Sequence, residues 1–321
     1  MTAHAGVDLG GTKIQSVVVN EDLDVLGSCF LLTPRDAGPA GVVGAIIDAI
    51  RSALEQAGLS LADLTSVGIG SPGRIDTRAG TVTHAGNLPD WTGTEPVSLP
   101  VSQSLGCPVT LRGDVQSGVM AEWHRGAGRG FASMLGVFCG TGVGGGLILG
   151  GELWRSRGAA GEVGHMVARN GGRACPCGLR GCLEAYAGRA PMEAEARRLA
   201  EQGASTALFD LMRQMDREIM TGEVWAAALA ESDPLAARLM DENVEAMGVV
   251  LASAVNLLDV EAVVIGGGMG QALGEPYVDR VRAAMAEHLV FPDNPLTVRS
   301  ASLGDLAGAV GAALAAQEES R

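Results

Sequence analysis

The sequence predicts an α/β protein made of two similar halves, each a mixed β-sheet with helices packed on it. Three observations carry that expectation. β-Branched runs of strand length alternate with longer stretches of helical periodicity. A strand, a glycine-threonine turn and a second strand occur at DLGGTK and again, later in the chain, at CGTGVGGG. The 321 residues are too many for one small core and suit two domains of about 100–200 residues each. The repeated glycine hairpins make two similar halves that face one cleft the natural expectation.

Each element follows in order. Residues 5–11 form a first strand that breaks on Gly10-Gly11. Residues 14–19 are too apolar and β-branched to begin a helix, so they return as a second strand. A third strand is expected near 25–32. Residues 41–59 have a helical period and end on Gly58 as a C-cap. Residues 66–70 are a short buried strand running into the turn Ser71-Pro72-Gly73. A strand at 108–111 ends at Arg112-Gly113-Asp114 and a helix follows. Strands at 134–140 and 147–151 flank the second glycine loop. Residues 186–255 read as helices, with apolar residues at i, i+3 and i+4. Asp233-Pro234 opens the last of them as N-cap and N1. Residues 261–268 are a strand that stops on three glycines, and the next helix turns Tyr277 and Val281 inward. The Ala/Gly segment 302–317 reads as a helix suited to close packing.

Composition narrows the function. Hydrophobic residues make up 47% and aromatics only 3%, so the cores are built from Val, Leu, Ile and Ala. The 47 glycines are about twice the ordinary usage of roughly 7%. They cluster where tight turns and close approach of backbone to a ligand need them. A net charge of −14 repels a phosphate backbone, which excludes nucleic acid as the expected partner. A small polyanion can still be held by local backbone amides. The N-terminus has no basic segment followed by an apolar run, and no apolar run is long enough to span a bilayer. Neither a signal peptide nor a membrane partner is expected. Cys29, Cys107 and Cys139 stand singly among apolar residues and read as buried free thiols of a cytoplasmic protein.

Five stretches carry chemistry. Asp8-Leu9-Gly10-Gly11-Thr12-Lys13 is either an ordinary Gly-Gly hairpin or a phosphate loop. In the second case Gly10 and Gly11 turn amides to an oxygen, Thr12 adds a hydroxyl and Lys13 a charge, and Asp8 holds hydrated Mg²⁺. It is not a Walker A loop, because G-x4-G-K-[ST] is absent. Gly140-Thr141-Gly142-Val143-Gly144-Gly145-Gly146 has more glycine than a hairpin needs, which favours a second phosphate loop over a flexible turn. Gly266-Gly267-Gly268 leaves room for a base and ribose or forms a plain tight turn. Asp114, between strand and helix, is either a helix N-cap or a general base that takes a proton from a hydroxyl attacking phosphorus.

The fifth stretch is Gly161–Glu184, GEVGHMVARNGGRACPCGLRGCLE. His165, Cys175, Cys177 and Cys182 follow the pattern H-x9-C-x-C-x4-C. Three thiolates and one imidazole are a complete tetrahedral set for a closed structural Zn²⁺ site. That reading is preferred over idle core thiols and over a disulfide, which leaves an odd thiol. Glu162 and Glu184 bracket the quartet as usable carboxylates.

Together these stretches resemble the ROK family of sugar kinases, within the actin-like ATPase superfamily. The motifs are DLGGTK, GIGSPG, AGNLPDW, the Asp114 segment, GTGVGGG, GEVGH, CPCGLRGCLE, VVIGGG and GDLAGAVGAAL, and they cover nearly the whole chain. The resemblance implies two actin-like (ribonuclease H-like) domains with a nucleotide/sugar cleft between them. Residues 1–112, joined by a C-terminal helix at about 302–321, would form one. Residues 113–301, with the zinc motif and the helical region, would form the other. The implied activity is transfer of the γ-phosphoryl group of ATP to a hexose hydroxyl, normally the 6-OH, of glucose or a related hexose or N-acetylhexosamine. Asp8, Gly10, Gly11, Thr12, Lys13, Gly140, Thr141 and Gly142 would hold the ATP phosphates with Mg²⁺. Gly266, Gly267 and Gly268 would lie by adenosine. Asp114 would be the catalytic base. Glu162, His165 and Glu184 would hydrogen-bond sugar hydroxyls, with Gly73 and Asn87 lining the sugar side. His165 would ligate zinc through one ring nitrogen and turn the other to the sugar. A homodimer is implied. The alternative within the resemblance is a non-catalytic sugar sensor or repressor relative. Such repressors carry a winged-helix segment ahead of this body, for which the motif beginning at Asp8 leaves no room. One departure stands out. The family usually places Asn before the base, where this chain has Gly113, and Arg112 brings a charge near the site.

Overall fold

The computed structural model describes residues 2–86, 88, 90–156 and 159–320. The chain forms two compact units, Met1–Arg125 with Asp305–Arg321, and Gly126–Gly304.

In the first unit, β1 (Ala3–Leu9), β2 (Lys13–Val19) and β3 (Val25–Leu32) form an antiparallel meander. The helix α1 (Gly38–Gln56) returns the chain to β4 (Leu64–Ser71), which runs parallel to β1. Gly58 takes the left-handed conformation that closes α1, with φ of 69° and its N–H donating to the Glu55 carbonyl. Three short strands, β5 (Arg74–Asp76), β6 (Thr81–Thr83) and β7 (Thr94–Pro96), make a small separate sheet. Then α2 (Ser98–Leu105) leads to β8 (Val109–Gly113), parallel to β4, and α3 (Asp114–Arg125) follows directly. The main sheet has the order β3-β2-β1-β4-β8.

The C-terminal helix, Ala307–Glu319, lies on this sheet at backbone contact. A Cβ on Gly6 of β1 would sit 1.9 Å from the Ala309 carbonyl oxygen, and one on Gly68 of β4 would sit 1.7 Å from that of Ala312. Gly311 of the helix approaches α3 as closely, at the Ser117 carbonyl. This packing holds α3 in the first unit, so the division falls after Arg125 rather than at the expected 112/113.

In the second unit, β9 (Met134–Cys139), β10 (Val143–Leu149) and β11 (Glu152–Leu153) form another antiparallel meander. A helical region follows: α4 (Glu184–Ala187), α5 (Arg189–Glu201), α6 (Leu208–Gln214), α7 (Gly222–Ala230) and α8 (Pro234–Leu258). Asp233 caps α8 by accepting from the Ala236 N–H at 2.7 Å. Next come β12 (Ala262–Gly266), α9 (Gly267–Ala286) and β13 (Thr297–Ser300), with both strands parallel to β9. The sheet order is β11-β10-β9-β12-β13. Two antiparallel steps followed by two parallel ones repeat the first unit step for step, so both units are the same α/β topology. Tyr277 and Val281 are buried, as their spacing predicts. Of the three lone thiols, Cys107 and Cys139 are buried and Cys29 is half-buried, because β3 presents one face to solvent. Among the described residues, no helix is long and apolar enough to cross a membrane.

Candidate active site and metal centre

Parallel strands bring their carboxyl ends to one edge, and ligands of α/β sheets bind there. In the first unit the register sets Asp8 of β1 level with Gly70 of β4, and Gly70 level with Arg112 of β8. Asp8, Gly73 and Asp114 therefore gather at that edge. Burial pushes the Asp8 carboxyl up to about 6, and the neighbouring Asp114 pushes the same way, while Lys13 opposes them. Asp8 lies against Gly308, where a Cβ would come within 2.6 Å of its Cγ. Asp114 is the first residue of α3, and its Oδ1 accepts the Val115 N–H at 2.8 Å. Asp114 thus stands at a helix start that holds its carboxylate at the sheet edge.

The hairpin between β1 and β2 is tightly tied. The Gly10 N–H donates to the Lys13 carbonyl, so this amide is engaged within the loop. The Thr33 hydroxyl donates to the Gly10 carbonyl at 2.7 Å, and its N–H to that of Thr12 at 3.0 Å. Lys13 Nζ pairs with Asp305 at 3.5 Å. Gly73 has φ of 87°, and a Cβ there would strike the Thr83 carbonyl at 2.8 Å, so glycine is required at that turn. Asn87 lies outside the described residues. Arg112 differs from its expected role. It is buried and pairs with Glu319 of the C-terminal helix at 3.2 Å, which takes its charge away from the Asp114 edge.

The second unit carries the quartet. The ligand atoms of His165, Cys175, Cys177 and Cys182 all lie within 4.8 Å of one another. Cys177 Sγ and Cys182 Sγ are 3.7 Å apart, and Cys175 Sγ is 3.8 Å from His165 Nδ1. A tetrahedral Zn²⁺ with bonds of about 2.3 Å to sulfur sets its sulfurs about 3.8 Å apart, so the donor set fits that ion. Burial pushes the Cys175 thiol up to about 12 and raises Cys182 as well, while the Leu179 N–H lowers Cys177. Buried thiols of this kind become thiolates when a cation sits among them.

The two carboxylates stand beside these ligands. His165 turns Nδ1 to the thiols and Nε2 towards Glu162, whose Oε2 is 3.9 Å away. Glu184 opens α4. Its Oε1 lies 3.7 Å from Cys175 Sγ and its Oε2 accepts the Val143 N–H at 3.0 Å. A clamp missed in the sequence holds this wall. The Arg169 and Arg173 guanidinium carbons lie 5.2 and 4.8 Å from the centre of the Tyr186 ring, two residues after Glu184. The Tyr186 hydroxyl accepts the Arg173 N–H at 3.0 Å. Arg173 also pairs with Glu195 and Glu242, and Arg169 with Glu245, on α5 and α8. The signal for this clamp was an Arg-x3-Arg pair close to a lone tyrosine.

Glycine has a different use in the second hairpin from the one expected. The loop proper is Gly140-Thr141-Gly142, and Gly144–Gly146 lie within β10. A Cβ on Gly142 would fall 2.1 Å from Glu184 Oε2, and one on Gly145 would fall 2.6 Å from Val163 Cγ1. The excess glycine therefore lets the Glu162–His165 and Glu184 segments press on the strand. The loop carbonyls of Gly140 and Thr141 accept the N–H groups of Arg189 and Ala190 at the start of α5. At the end of β12, Gly266 packs on the Phe138 ring and Gly267, with φ of 86°, on the Cys139 backbone. Gly268 is exposed and has no heavy atom within 4 Å of its Cβ position, so it alone of the three leaves open space.

The profile of the ROK family matches residues 4–319. A glucokinase of Streptomyces coelicolor is 33% identical over 98% of this chain and 97% of its own length. A ROK family glucokinase from Streptomyces griseus, solved in complex with glucose and AMPPNP, is 34% identical with a TM-score of 0.83, covering 98% of this chain and 99% of its own. The ROK hexokinase from Thermus thermophilus is 33% identical with a TM-score of 0.81 over 99% of each chain.

Proposed function

We propose that the chain, which belongs to the ROK family and is a carbohydrate kinase, transfers the γ-phosphoryl group of ATP to the 6-OH of glucose or of a related hexose or N-acetylhexosamine. The observation that carries this reading is the pair of carboxylates at one sheet edge, with Asp114 close enough to raise buried Asp8. A base and a cation-seeking carboxylate side by side are what a hydroxyl attacking a phosphoryl group requires.

Asp114 takes the proton of the attacking hydroxyl, and the Val115 N–H fixes the carboxylate for that task. Asp8 would hold Mg²⁺, which would supply positive charge to the transferring phosphoryl group. Residues 10–13 and 140–142 bind the phosphates of ATP, and Gly268 leaves space for its nucleoside. Glu162, His165 and Glu184 hydrogen-bond the sugar. Zn²⁺ held by His165, Cys175, Cys177 and Cys182 braces this segment. With Nδ1 as the ligand atom for Zn²⁺, Nε2 would carry the ring proton and could donate a hydrogen bond to a sugar hydroxyl. Catalysis is then positioning and charge stabilisation. A coupled ADP-release assay with zinc and Mg²⁺ over glucose, mannose, N-acetylglucosamine, N-acetylmannosamine and fructose tests the proposal. Sugar-dependent turnover on at least one is expected, and none on any of them would overturn it.

A further inference from the structure

Glycine at 113 is not demanded by the fold. Its φ lies outside the left-handed region, unlike Gly73 at the same sheet edge. A Cβ at 113 would meet nothing nearer than 3.7 Å, an ordinary contact. The neighbouring glycines are tighter, since a Cβ on Gly70 would lie 3.3 Å from Asp114 Cα and one on Gly308 2.6 Å from Asp8 Cγ. The three nearest atoms to the Cβ position at 113 are Cγ, Cδ and Oε1 of Gln116, all at 3.7 Å.

The helix explains why Gln116 reaches there. α3 begins at Asp114, and helical side chains lean towards the N-terminus, over the residue three positions back. The Gln116 carboxamide therefore overhangs the gap at 113. It is half-buried, so a hydrogen bond made there faces less competition from water. A carboxamide offers both donors and an acceptor, which matches a sugar hydroxyl that also does both.

We propose that Gln116 is a sugar-binding, specificity-determining residue, whose carboxamide hydrogen-bonds the acceptor sugar beside Asp114 in the space that Gly113 leaves open. The proposal rests on the sugar-kinase reading above. The amide comes from the first turn of a helix on a long arm, rather than from the strand end at 113. It meets the sugar from a different side, and the preferred hydroxyl pattern shifts accordingly.

The test is steady-state kinetics of the full chain, zinc-loaded, for wild type, Gln116→Ala and the double variant Gly113→Asn/Gln116→Ala. The substrates are the best hexose and its monodeoxy analogues. Gln116→Ala is expected to raise the sugar KM about tenfold with the ATP KM unchanged. That loss should vanish against the one deoxy sugar that lacks the partner hydroxyl, and Gly113→Asn should recover part of it. An unchanged sugar KM, or an equal loss on every deoxy analogue, overturns the assignment. A wild type inactive on every sugar overturns the kinase reading instead. Calorimetry of hexose binding to wild type and Gln116→Ala then decides on Gln116 by itself, equal affinities counting against it.

Discussion

Burial and the nearby Asp114 together hold the Asp8 carboxyl near a pKa of about 6, against an ordinary value of 3.8. Between those values the folded chain keeps a proton that the unfolded chain has lost. The stability it contributes is fully present below the ordinary value and is lost as pH rises through about 6. Asp8→Asn should therefore gain on the wild type in melting temperature from about pH 4 to pH 7 without Mg²⁺. Mg²⁺ should stabilise the wild type and not the variant. A melting gap that stays constant across that range would contradict this account of Asp8. Two glycines make a second residue-scale test. Gly68→Ala drives a Cβ to within 1.7 Å of the Ala312 carbonyl and should cost on the order of 3 kcal/mol or more. Gly113→Ala meets only an ordinary contact and should be neutral, or stabilising by up to about 1 kcal/mol. Urea denaturation of both variants checks the contrast.

At the scale of elements, the segment from Glu162 to Glu184 has little regular structure to hold it. Among the described residues its strand-like pairing is limited to the isolated bridges Val167–Cys182 and Ala174–Arg180, beside one short 3₁₀ turn. The quartet and the Arg169–Tyr186–Arg173 sandwich make up for that lack. Without the proposed Zn²⁺, Nδ1 of His165 and the loop that places Glu184 should loosen. A chelator, or Cys177→Ser, is expected to lower the melting temperature and raise the sugar KM together. Unchanged melting in chelator would contradict a structural metal. The quartet was legible because its spacing is local and its chemistry rare. The sandwich was not, because its ion pairs reach Glu195, Glu242 and Glu245 on distant helices. The second hairpin was legible as a hairpin, but its later glycines, Gly144–Gly146, lie in the strand rather than in the loop. A run of glycine does not reveal whether a ligand or the chain's own Glu184 approaches it. Strands β5, β6 and β7, three residues each, were too short for an alternation to register.

Across the whole molecule, the two units repeat one strand order and one sequence of directions. The paired glycine hairpins had already announced this likeness, because each hairpin starts the same meander. The C-terminal helix was expected in the first unit, and it packs there at Gly6 and Gly68; what the sequence hid was α3, bound to that helix at Gly311. The same non-local packing explains Arg112. Its place beside Asp114 in the sequence pointed to the site, while its partner Glu319 lies at the far end of the chain. The edge with Asp8, Gly73 and Asp114 is where the proposed function places the first unit's chemistry. The account stands on Asp114 as the base for attack on ATP. The most direct measurement is phosphorus NMR of the products formed from ATP and the preferred hexose by wild type and Asp114→Asn. The wild type should yield ADP and a hexose 6-phosphate in equal amounts. Asp114→Asn should lose about 10²–10⁴-fold in rate while still binding sugar. ADP without sugar phosphate, or full activity in Asp114→Asn, would contradict it.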